Sequence, residues 1–153
     1  MSYSRTGYVG GLVMLTLFAV RCDHEEKSEE QNSFAATLDV HLNAIKTSDL
    51  KTLEPTVADD VIMIGPDGTQ YESKSVFIDF HKKWFATDNW EWDGEIVRTE
   101  SSDSLGHAFI KYHFTQKDSL GQTMFEDAEY LILIFRREAE GWQLTHDQNT
   151  AIK

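Results

Sequence analysis

Cysteine is almost missing from this chain. There is one among 153 residues, Cys22, so no disulfide can close within the chain and a multi-cysteine metal site is excluded. Proline is as scarce, with only Pro55 and Pro66, which leaves room for long uninterrupted helices and strands. Basic residues are few: 14 Lys and Arg against 26 Asp and Glu give a formal net charge of −12. The first 22 residues hold two arginines and no acid, so the remainder carries −14. A surface that acidic repels phosphate backbones and anionic headgroups, which argues against nucleic-acid binding and against membrane contact by the domain itself. No phosphate loop, nucleophile elbow or Cys-x-x-Cys pair is present. His107 and His113 lie six residues apart on one strand, about 20 Å along it, so they cannot share a metal. The residues call for neither a metal nor a cofactor.

What is present suffices for a core. Hydrophobic residues make up 41% of the chain and aromatics 12%, enough for one domain without metal or disulfide staples. Leu12 to Val20 forms an apolar run whose upstream flank carries only Arg5, and no acid appears before Asp23. This is the pattern of a secretory signal, and it is shorter than the roughly 20 residues a bilayer span needs. Cys22 directly behind it is a lipidation candidate, so residues 1–22 are expected to be a lipoprotein-type or secretory signal. Ala19 and Arg21 stand where a lipobox has Leu and a small residue, which leaves ordinary cleavage or an uncleaved anchor as alternatives. Residues 23–32, acidic and without apolar periodicity, are expected to form a disordered tether. An exported domain is the expectation, either held to the membrane through its N-terminus alone or free in the periplasm or outside the cell.

From Ser33 onward the pattern becomes helical. Phe34, Leu38, His41, Leu42 and Ile45 share one face of a 3.6-residue period, with Ser33 as N-cap. Ser48-Asp49 opens a shorter helix that Pro55 stops near Glu54. Val61 to Ile64 reads as a strand closed by the Pro66-Asp67-Gly68 turn. Ser73 begins a third helix, with Val76, Phe77, Phe80 and Trp84 inward. Four long strands follow: Trp90–Thr99, His107–Gln116, Met124–Arg137 and the last from Gly141. The third is so apolar that a sheet centre covered on both sides is expected. Helices before antiparallel strands give an α+β domain over residues 33–153.

The last strand carries the most information. Strict alternation places Trp142, Leu144, His146, Gln148 and Thr150 on the inner face, and turns Asp147 outward. An inner face that begins apolar and turns polar predicts a core opening into a lined pocket.

The Asp59–Gly68 stretch (DDVIMIGPDG) and the closing GWQLTHDQNT together resemble the SnoaL-like branch of the nuclear-transport-factor-2-like superfamily. The resemblance covers about residues 34–151. It implies a cone-shaped fold, three helices packed in a strongly curved antiparallel sheet, whose sheets often pair face to face as homodimers. Many members end with a His-Asp-His run; here Gln148 stands in the last place. Ketosteroid isomerisation, found in this superfamily, uses a carboxylate base and a Tyr–acid pair that stabilises an oxyanion. The resemblance puts Gly65 at the base position and His41 at the Tyr position, with Glu129 the nearest acid to the third. That chemistry is therefore not expected.

The pocket-lining candidates are His41, Trp84, Tyr112, Glu129, His146 and Gln148. His41 could equally be a satisfied core histidine, and Glu129 a solvated rim acid. Trp84, with Trp90 and Trp92, could form an aromatic wall or ordinary packing. Three functions stay open: binding of a small, largely apolar molecule, an acid–base enzyme of the isomerase, cyclase or dehydratase type, and a dimeric interaction module.

Overall fold

A computed structural model describes residues 33–152. The expected signal with Cys22, and the acidic tether, lie outside the described residues. Helix α1 spans Phe34–Lys46, capped by Ser33 Oγ, which accepts from the Ala36 amide at 3.2 Å. Asp49 caps the four-residue α2, Leu50–Leu53, by accepting from the Thr52 amide. Pro55 then sits in a single 3₁₀ turn, Glu54–Thr56, where the missing N–H costs nothing.

Strand β1 runs Val57–Ile64 and β2 Gln70–Glu72, followed by α3, Lys74–Phe85. β3 (Trp90–Ser101), β4 (Leu105–Lys117), β5 (Thr123–Glu138) and β6 (Gly141–Ala151) complete a six-stranded sheet in the order β2-β1-β6-β5-β4-β3. All neighbours are antiparallel except β1 and β6, which run parallel. β1 begins earlier than its apolar core suggested, because Val57 pairs with Leu144 and both are fully buried. The short β2 escapes sequence periodicity altogether.

The helices lie in the concave face of this sheet. At the narrow end Phe34 meets Phe135 edge-on and tilts against Trp142, with ring centroids 5.7 and 5.6 Å apart. Gly106 lets Phe34 approach: a Cβ there would lie 2.6 Å from the ring. On α3 the inward positions are Phe77 and His81, both buried, whereas Val76, expected inward, is exposed.

β5 alternates rather than being covered on both sides. Glu129, Leu131, Leu133 and Phe135 are buried, while Tyr130 and Ile132 on its outer face are 38% and 39% exposed. No helix of the described residues is long and apolar enough to cross a membrane.

Candidate functional site

Above the packed narrow end the cone stays open. A cavity of about 460 Å³ lies between α1, α3 and the sheet, within the range of roughly 300–1,000 Å³ typical of ligand pockets. Leu42, Ile45, Met63, Leu131, Leu133, Phe80 and Phe114 give it apolar walls, and Trp84 and Trp92 supply indoles. Gly65, Pro66 and Asp67 of the β1–β2 turn form its rim, where Asp67 is held by accepting from the Thr69 amide and hydroxyl. Trp90 does not line the cavity. It leans at a tilt against Trp84, centroids 4.5 Å apart, and donates its Nε1–H to Trp84 O.

Alternation along β6 fails at one place. Phe135 pairs with Leu144 but Ile134 pairs with His146, so Thr145 is an extra residue, a β-bulge, and its hydroxyl donates to Ile134 O at 3.2 Å. Beyond it the faces are exchanged. Asp147 and Asn149, opposite the inward Leu133 and Leu131, enter the cavity wall. His146 and Gln148, opposite Ile134 and Ile132, turn to the outer face. The expectation that His146 and Gln148 line the pocket, with Asp147 outward, is thus reversed by a one-residue shift of phase.

His41, Trp84 and Tyr112 line the cavity, and Glu129 stands behind Tyr112 on the same face as Leu131. His41 marks the boundary between filled core and open space, its ring edge-on to Phe135. Its Nδ1 lies 2.7 Å from Thr56 Oγ1, and the Thr56 hydroxyl donates to Leu53 O. Burial, with His81 nearby, pushes its pKa down to about 3. His81 was missed in the sequence, although its spacing of four from Phe77 and three from Trp84 puts it on their face. Its Nδ1–H donates to Phe77 O at 2.9 Å, and burial lowers its pKa to about 4.

The sheet side carries a connected polar chain. The Tyr112 hydroxyl donates to Glu129 and lies 3.0 Å from Asn149 Oδ1. Asn149 spends its two amide hydrogens on Asp147 Oδ1 at 2.7 Å and Ile64 O at 3.2 Å, which fixes the orientation of the amide. Desolvation raises Glu129 above the usual carboxylate range against the pull of the Tyr112 bond. Burial pushes Asp147 up to about 7, with the Asn149 bond opposing and the charge of Glu129 assisting. Tyr112 is raised as well, chiefly by burial and its bond to Glu129. A carboxyl group poised between charged and neutral forms, in a cavity also lined by two histidines held neutral, can accept or give a proton near pH 7.

Residues 34–150 match the SnoaL-like domain family. The chain belongs to this family. No curated protein matches it in sequence. Solved structures share the fold of this SnoaL-like domain. A ketosteroid isomerase-like protein from Erwinia carotovora atroseptica SCRI1043 is 19% identical, with a TM-score of 0.66 over 82% of this chain and 98% of its own. A candidate dehydratase of the nuclear-transport-factor-2-like family from Streptomyces avermitilis is 13% identical, with a TM-score of 0.66 over 83% and 97%. A conserved protein from Planctomyces limnophilus DSM 3776 is 20% identical, with a TM-score of 0.67 over 82% and 98%. At these identities the likeness is one of fold. Within the SnoaL-like frame, Gly65 lies on the rim and presents no carboxylate.

Proposed function

We propose that this SnoaL-like domain binds one small, largely apolar molecule inside its cone. The observation that carries this is the cavity of about 460 Å³ with apolar and indole walls and a few polar groups set into them. A filled cone would have favoured a purely structural module. Native mass spectrometry of the full chain, before and after denaturing extraction, tests the reading. A mass excess that disappears on denaturation supports it. A chain without any adduct, and with no uptake of naphthalene-sized hydrophobic compounds, would refute it.

A second reading, acid–base catalysis on the bound molecule, is favoured by Asp147. One of its oxygens is held by Asn149, the other is without a partner among the described residues, and its pKa of about 7 suits proton transfer at neutral pH. The isomerase-like and dehydratase-like descriptions of structural neighbours agree with such chemistry. Loss of turnover in Asp147→Asn, with binding of a product analogue retained, is the expected signature.

Two further proposals concern the setting. The apolar run of residues 12–20 ahead of Cys22 supports export with lipid attachment at that cysteine. Incorporation of labelled palmitate, abolished by Cys22→Ser, tests it. Phe109, Tyr130 and Ile132 on the outer sheet face support a homodimer formed sheet to sheet.

A further inference from the structure

We infer that the ligand's polar end donates hydrogen bonds, and specifically that it is a protonated amine on an apolar body. This deepens the small-molecule reading above and rests on it.

Among the buried titratable residues of the cavity, three side-chain atoms lack partners among the described residues: His41 Nε2, His81 Nε2 and one carboxylate oxygen of Asp147. None of them is sealed away from space, although the three residues are only 1%, 3% and 7% exposed. The space they reach is the cavity they line.

All three are acceptors, each for a definite reason. The Thr56 hydroxyl has one hydrogen, and Leu53 O, 2.6 Å away, can only accept it. Thr56 therefore offers His41 a lone pair, so the hydrogen of the neutral imidazole sits on Nδ1 and Nε2 is bare. Phe77 O imposes the same tautomer on His81. Asp147 has one oxygen committed to Asn149. The donors of the sheet-side polar chain are already spent, since both Asn149 hydrogens are in use and the Tyr112 hydrogen is taken by Glu129 or Asn149. The indole N–H groups of Trp84 and Trp92 and the Tyr71 hydroxyl are the remaining donors of the lining. A ketone or ester oxygen at His41, His81 or Asp147 would meet lone pairs, and only the indoles and Tyr71 could serve it. A donor head would satisfy those lone pairs.

Charge decides between donors. The cavity lining contains no lysine or arginine, yet it holds the Asp147 carboxylate, with Glu129 one residue behind. A cationic nitrogen supplies the missing counter-charge in a poorly solvated site, where the attraction is strong. The aromatic surfaces of Trp84, Trp92 and Tyr71 are suited to such a cation as well. A hydroxyl gives the hydrogen bond without the charge.

The test is calorimetric titration of the full chain at pH 7.5 with three probes on one frame: 1-naphthylmethylamine, 1-naphthylmethanol and 1-acetylnaphthalene. The amine is expected to bind at least about tenfold tighter than the alcohol, and the ketone weakest, as a charge-assisted hydrogen bond outweighs a neutral one. Asp147→Asn keeps an oxygen for Asn149 but turns an amide N–H into the cavity, so it should erase the lead of the amine and tighten the ketone. The ranking in the unmodified chain decides even if that variant does not fold. A ketone or alcohol that binds as well as the amine would overturn the inference while leaving small-molecule binding intact. So would an amine lead that survives Asp147→Asn. Failure of all three probes would overturn both.

Discussion

Tyr112 donates its hydroxyl to Glu129, and both residues are buried on the inner face of the sheet. The same hydroxyl faces Asn149 Oδ1, so one phenolic hydrogen lies between two acceptor oxygens. Protonation of Glu129 provides the second hydrogen and satisfies both contacts. Tyr112→Phe removes the bond that favours the charged carboxylate. A loss of about 1–3 kcal/mol is expected, growing with pH as Glu129 ionises without a partner. Urea unfolding of the variant between pH 5 and 8 checks this, and a penalty that is flat with pH would contradict it.

The cavity groups pull stability in opposite directions with pH. The carboxyl of Asp147 is raised from 3.8 to about 7, so its contribution is complete below about 3.8 and is lost as pH rises through 7. His41 and His81, lowered from 6.5 to about 3 and 4, contribute above 6.5 and lose that contribution as pH falls. Each shifted unit is worth about 1.4 kcal/mol. Asp147→Asn removes only the first trend. It should exceed the unmodified chain in stability above pH 7 by more than about 1 kcal/mol, and lose stability more steeply on acidification. Parallel stability curves for the two chains would refute the assignment.

Both buried histidines should be neutral, with the hydrogen on Nδ1. Nitrogen-15 NMR of the side chains at pH 6 is expected to show two imidazoles with bare Nε2, unchanged down to about pH 5. Thr56→Val should release this constraint at His41 and leave His81 as it was. Protonation of either ring near pH 6.5 would show that its environment is wetter than described here.

Gly106→Ala would place a Cβ 2.6 Å from the Phe34 ring, which is itself wedged against Phe135 and Trp142. The narrow end has no slack, so a loss of about 1–3 kcal/mol is expected by thermal or denaturant unfolding.

The proposed sheet-to-sheet dimer makes Ile132 its most sensitive position. Ile132→Glu lies on the outer face and touches nothing in the cavity, so it should convert a dimer to monomer in sedimentation without changing ligand affinity. A monomeric unmodified chain would remove the basis for this proposal.

Local signals in the sequence account for most of the scaffold. The apolar period from Phe34 to Ile45, the Asp49 cap and Pro55 gave α1, α2 and the stop after them, because each rests on interactions within a few residues. The parallel pairing of β1 with β6 was not legible, since partners about 85 residues apart, such as Ile64 with Gln148 in register or Asn149 bonded to Ile64 O, leave no local trace. The candidate site divides the same way. His41 and Tyr112 follow from unbroken periodicity. Asp147 was hidden because neither Gly nor Pro marks the bulge at Thr145, so nothing signals that alternation stops there. His81 was legible in spacing but was passed over in favour of its apolar neighbours, one of which, Val76, is exposed.

That extra residue makes β6 a vernier. Upstream of Thr145 the strand is committed to the core by Trp142 and Leu144. Downstream, two interleaved sets of side chains wait on opposite faces: an acid with its amide, and a histidine with a glutamine. Shortening the strand by one residue at Thr145 would bring the second set inward while the hydrogen-bonded framework stayed in place. One scaffold thus holds two alternative cavity chemistries in a single sequence, and the length of one strand, rather than any side chain, selects between them.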